Sequence, residues 1–224
     1  MSATFMDAIE SQDGEPILDP VERVSEMCFG LFMALTFVGA VSAASSGADA
    51  GRTMLSAALG CNLAWGLVDA VMYLVRTITG RGRRLAIALA IRDAPDGPAG
   101  AKILRAALPP VERWLLSDAE LEAVHTRLAR ATLPERPRLH LRDLRGAAGI
   151  FVIVVLATFP VALPFVLISD LPKALLISRV LTLVMLFAGG VALGRYAQYG
   201  GWKSGLALLA LGVALTVAVI ALGG

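Results

Sequence analysis

The sequence predicts an all-α fold: a polytopic membrane protein with five transmembrane helices and a helical cytoplasmic insert between helices 2 and 3. Three observations predict it. Hydrophobic residues make up 57% of the chain and mean hydropathy is +0.72, against 17% charged residues. The apolar residues gather into runs of about 20, the length that crosses a bilayer as a helix. The charges are segregated, with 14 of the 20 Lys and Arg lying between Arg76 and Arg145.

Taken in order, residues 1–25 read as an acidic cytoplasmic tail in which Gly14, Pro16 and Pro20 break any helix. Asp7, Glu10, Asp13, Glu15 and Asp19 stand where a cleavable signal would need basic and then apolar residues, so the first span itself is expected to direct insertion. Residues 26–75 form a transmembrane hairpin. Its first helix runs from Glu26 to Ser45, its second from Thr53 to Val75, with a polar loop through Ser46, Gly47, Asp49 and Gly51.

Residues 76–145 form the insert. RTITGRGRR is expected to stop the second span, and breaks fall at Pro95–Pro98, Pro109–Pro110 and Pro134–Pro137. Two or three short helices fit between them, the clearest being SDAELEAVHTRLAR, where Ser117 and Glu120 have capping-box spacing. Residues 146–224 hold helices 3–5, expected over Gly146–Ser169 with Pro160 and Pro164 inside, Leu171–Leu193, and Leu206–Gly224. The positive-inside rule puts the insert and N-terminus in the cytoplasm and the C-terminus outside. The Ala-, Gly- and Arg-rich composition fits a bacterial plasma membrane.

The second span holds Asn62, the only asparagine in the chain, and Asp69. At helical spacing Asn62, Trp65, Asp69 and Met72 share one face. An acid inside a span costs roughly 2.5–3.5 kcal/mol on insertion scales, so it usually meets a partner, a cavity or a pathway. Glu22, Glu26 and Met33 lie along one side of the first helix. Carboxylate and amide oxygens suit hard or borderline cations, and thioethers suit softer ones. Asp69 and Asn62 supply the first kind, Met33 and Met72 the second, and Glu22 and Glu26 an acidic approach. The alternative for Asp69 is a hydrogen bond to Asn62 or Tyr73 that holds helices together. In the insert, Asp118, Glu122 and His125 recur at steps of four and three, which is either a weak metal site or a solvated face. Cys28 and Cys61 fall in apolar runs and read as small buried hydrophobes rather than a disulfide.

The order of parts, FPVALPFVL in the third span and LTLVMLFAGGVALGRYAQYGGWKSGLALLALGVALTVAVIALGG at the end resemble the vacuolar iron transporter family. The resemblance implies a homodimeric membrane transporter that moves divalent metal cations, iron or manganese, out of the cytoplasm by export or sequestration. The sequence departs from the family where an aspartate is expected in the first span: that position falls on Met33, and the following glycine on Ala34. The serine–methionine motif of the second span is absent, and the insert is poor in glutamate.

Composition excludes other classes. There is no H-E-x-x-H, C-x-x-C, G-x-S-x-G or phosphate-binding glycine loop, and both histidines lie outside the spans, so an enzyme is not expected. No basic patch interleaved with aromatics points to nucleic acid. No cofactor is expected beyond the transported ion. A non-transporting scaffold or assembly partner on the same fold is the alternative to a carrier, favoured by the missing first-span aspartate and disfavoured by the acid in span two.

Overall fold

The structure, a computed structural model, describes residues 20–44 and 50–221, without the side chains of 37–44, 50 and 51. The expected acidic tail through residue 19 and the loop at 45–49 lie outside the described residues. The rest is all-α, with no strand among the described residues. Its helices are α1 Pro20–Ala44, α2 Ala50–Arg92, α3 Gly97–Ala107, α4 Pro110–Leu115, α5 Asp118–Ala129, α6 Leu141–Leu167, α7 Leu171–Tyr196 and α8 Gly201–Ala221. Four of these, α2, α6, α7 and α8, are long and apolar enough to cross a membrane. The protein is an all-helical membrane protein on that ground. The first expected span is helical as α1, but side chains of its last third lie outside the described residues.

Several expected edges move: α6 starts at Leu141 rather than Gly146 and α8 at Gly201 rather than Leu206, and two larger shifts have a clear cause. Helix α1 begins at Pro20 rather than at Glu26, because proline's fixed φ and missing N–H suit the first helical position. Helix α2 does not stop at Arg76 but continues to Arg92. Gly80 and Gly82 each cost about 1 kcal/mol in a helix, yet the run RRLAIALAIR is made of good helix formers and the first proline is Pro95. At 43 residues α2 is about 65 Å long, roughly twice the hydrocarbon thickness of a bilayer, so chain chemistry rather than helix end marks where the lipid stops.

The described chain divides into two compact units, residues 74–143, and residues 20–73 with 144–221. In the second unit α7 packs most extensively on α8, and α1 packs on both. Glycines set these distances. A methyl group at Gly190 would lie 2.6 Å from the Ser204 carbonyl oxygen, and one at Gly205 would lie 2.7 Å from Val191 Cγ2. The turn between α7 and α8 passes through Gly200 at φ +99°, a backbone region open to glycine. Phe187 and Trp202 close that end edge to face, with ring centroids 5.0 Å apart. On the other side Leu31, Val161 and Leu186 are buried together with Cys28 and Ala34, and Cys28 Sγ presses against Gly189. The Ser178 hydroxyl donates to the Val161 carbonyl at 2.8 Å, just before Pro164 in α6.

The 74–143 unit is held differently. The C-terminal half of α2 buries Ala88 and Ile91 against Leu128 of α5; burying such a leucine contributes about 1.5–3 kcal/mol. Asp96 caps α3 by accepting from Ala99 N at 2.8 Å. Ser117 and Glu120 form the capping box of α5, with both reciprocal hydrogen bonds made. Arg105 donates to the carbonyls of Arg113 and Leu116 and meets Asp118 at 2.5 Å, so one guanidinium fastens α3 to the α4–α5 turn.

Candidate functional site

The candidate site begins at a row of small residues on α2. Ala58, Asn62, Gly66 and Ala70 recur every four residues and all are buried, so neighbouring helices approach closely. A methyl group at Gly66 would sit 3.2 Å from Phe151 of α6, and one at Gly30 of α1 would sit 3.2 Å from the Val154 carbonyl of α6. Three helices therefore converge on Asn62.

Asn62 is 1% exposed. Its Nδ2 donates to Thr158 Oγ1 of α6 and lies 3.5 Å from the Gly30 carbonyl of α1. The Thr158 hydroxyl gives its own proton to the Val154 carbonyl at 3.2 Å, so toward Asn62 it accepts. This leaves Asn62 Oδ1 buried without a hydrogen-bond partner among the described residues. An unsatisfied buried carbonyl costs about 1–3 kcal/mol, so the oxygen marks a place where the fold tolerates an unmet acceptor.

Asp69 lies two turns beyond Asn62, about 10 Å along the axis, and is half-buried. The other two residues of the expected face turn outward: Trp65 is 39% exposed and Met72 47%. Trp65 packs edge to face on Phe29 of α1, with centroids 6.0 Å apart. Buried positions on α2 follow steps of four, and this row rotates away from Trp65 and Met72 while keeping Asn62. On α1, Glu22 is exposed in the first turn, and Glu26 and Met33 are half-buried. Helical spacing puts Glu22, Glu26, Gly30 and Met33 on one side of α1, the side whose Gly30 carbonyl meets Asn62.

In the 74–143 unit Asp118, Glu122 and His125 do not converge. Asp118 is engaged by Arg105, Glu122 packs on Gly97, and the His125 ring lies over Gly100, where a methyl group would come within 2.6 Å of its Cδ2. His125 Nε2 is buried without a hydrogen-bond partner among the described residues. Among the described residues no three His, Cys, Asp or Glu side chains gather closely enough to hold a metal ion.

Sequence reasoning missed two features. Thr158 carries no signal of its own, since a threonine in an apolar run normally bonds its own helix. The second is an arginine centre in the 74–143 unit. Arg81 forms a two-pronged pair with Asp143, at 2.5 Å and 2.8 Å, and also donates to the Arg138 carbonyl at 2.8 Å. Asp143 Oδ2 accepts from His140 N at 2.7 Å, which caps the start of α6. The alternation of proline and arginine in PERPRLHLRD was the available signal. Compared with known proteins, the chain matches no family model and no curated protein.

Proposed function

We propose that the protein is a membrane carrier of divalent metal cations, iron or manganese, and a divergent relative of the vacuolar iron transporters. It crosses the bilayer five times as a homodimer, with the N-terminus and the 76–145 insert in the cytoplasm and the C-terminus outside. The basic segment Arg76–Arg145 supports that orientation. One observation carries the reading: a membrane-crossing helix holds a half-buried carboxylate, Asp69, and a buried amide oxygen, Asn62 Oδ1, and the latter meets no hydrogen-bond donor among the described residues. A cation with an oxygen preference is the ligand class that both groups serve. Glu22 and Glu26 line the approach along α1, and Met33 and Met72 are secondary donors. Asp118, Glu122 and His125 have no part in the path.

A second reading rests on a specific contact. Asn62 Nδ2 ties α2 to Thr158 and Gly30, which is what a helix-holding amide in a non-transporting scaffold would do. The two readings separate at Asp69→Asn, measured as manganese and ferrous-ion flux into proteoliposomes. Coulombic attraction to a cation grows as the local dielectric falls, so a carrier loses about tenfold or more of its flux while the variant inserts and elutes normally. Unchanged flux sinks the carrier site, and no flux in the unsubstituted protein favours the scaffold.

A further inference from the structure

A cleft of about 480 Å³ opens within the 74–143 unit, beside the arginine centre. Its floor is apolar, formed by Leu85 and Ala88 of α2 and by Leu133. Its rim carries Arg136, Arg138 and His140, with Glu135 beside them. Arg81 also reaches the cleft, but its charge is met by Asp143, and its bond to the Arg138 carbonyl makes it the post that fixes the rim.

Arg136 and Arg138 are of another kind. Both are exposed, and among the described residues neither guanidinium has a protein partner. Pro137 between them fixes φ near −65° and stiffens the segment, and both arginines line the cleft. Two planar forks therefore face one cleft, against the single opposing charge of Glu135. A carboxylate offers two oxygens in one plane, whereas phosphate presents oxygens in several directions and engages two forks at once. The apolar floor asks that the rest of the ligand be hydrophobic, and the volume lies in the range of small-molecule sites.

We propose that this cleft binds a phosphate ester with an apolar part, held by Arg136 and Arg138 over Leu85, Ala88 and Leu133. Two sources share that chemistry, an anionic phospholipid and a soluble phosphate monoester. His140 stands one residue before α6, a helix apolar enough to cross a membrane, and basic segments beside spans attract anionic headgroups. The proposal is independent of any role for Asp69.

The test uses the full chain in neutral detergent, with two probes. Native mass spectrometry counts retained dioleoylphosphatidylglycerol against dioleoylphosphatidylcholine, and equilibrium dialysis follows phenyl phosphate. The double variant Arg136→Gln, Arg138→Gln is compared with Arg127→Gln, Arg130→Gln, which removes the same charge outside the cleft. Binding of one probe should weaken about tenfold or more in the first variant alone, as expected when two charge-assisted hydrogen bonds are lost. Loss on phosphatidylglycerol names a lipid, and loss on phenyl phosphate names a soluble ester. Equal losses in both double variants would mean bulk charge and overturn the proposal, as would undiminished binding of both probes. Hydrogen exchange across α5 reports whether the variants keep the wild-type fold.

Discussion

The bundle of α1, α6, α7 and α8 and the unit of residues 74–143 solve the same problem, fastening helices together, with opposite residues. The bundle uses glycine: Gly189, Gly190, Gly205 and Gly212 each lie where a methyl group would collide with a neighbouring helix. The 74–143 unit uses arginine: Arg81, Arg105 and Arg113 all donate to main-chain carbonyls across turns. The difference fits the placement proposed above, the bundle in lipid and the 74–143 unit in the cytoplasm. In lipid, apolar side chains gain little by leaving one hydrocarbon surface for another, so close van der Waals approach and a few hydrogen bonds must hold helices. In the 74–143 unit, burial of Ile91 and Leu128 supplies a core, and the long arginines then satisfy carbonyls that helix ends leave open.

The strongest way to break this comparison is Arg81→Ala. The Asp143 side chain is 6% exposed, and without Arg81 its charge is left with the His140 N–H and, at 3.7 Å, the His140 ring. Removing one partner of a buried pair costs about 3–5 kcal/mol; Arg81 is itself one-fifth exposed, which puts the loss near the lower figure. Faster amide exchange across residues 131–140, with α7 and α8 unaffected, is the expected result. Arg81→Lys should restore little, because an ammonium cannot make the two-pronged pair.

A smaller effect tests the other side. Gly190→Ala forces a methyl group toward the Ser204 carbonyl and should cost about 2 kcal/mol through overpacking, read as a shortened half-life of the detergent-solubilised protein. Gly60→Ala meets nothing within 4 Å and should instead gain about 0.5–1 kcal/mol from better helix propensity. Equal responses at the two glycines would mean that close approach is not what holds the bundle.

The same contrast explains what could be read from the chain. Helix type, the breaks at Pro95–Pro98 and Pro109–Pro110, and the capping box at Ser117 were legible because each is fixed by residues close in sequence. Asn62 stood out as the one amide in an apolar run. Its partner Thr158 lies 96 residues away and the Arg81–Asp143 pair spans 62, and no local pattern encodes such pairings. The end of α2 was misplaced for a related reason: charged residues mark where lipid ends, whereas only Pro95 marks where a helix must end.

The smallest expected effect concerns pH at the start of α5. The Ser117 hydroxyl donates to Glu120 at 2.6 Å and the Ser117 N–H at 2.8 Å, and these two bonds hold the Glu120 carboxyl below its ordinary 4.5. A carboxylate whose native value is lowered contributes stability that is fully present above the unfolded value. That contribution is lost as pH falls below about 4.5, through the lowered native value. Protection of the Ser117 amide should therefore decline on acidification in this window, and Glu120→Gln, which still accepts but cannot titrate, should flatten the decline. Glu120 is fully exposed, so solvent screens the effect and the helix should survive it. Ser117→Ala removes the other half of the box and should cost about 1 kcal/mol at neutral pH, seen as fraying of α5 while Leu121 and Leu128 stay buried. A decline in Ser117 protection that persists unchanged in Glu120→Gln would place the titrating group elsewhere in the 74–143 unit.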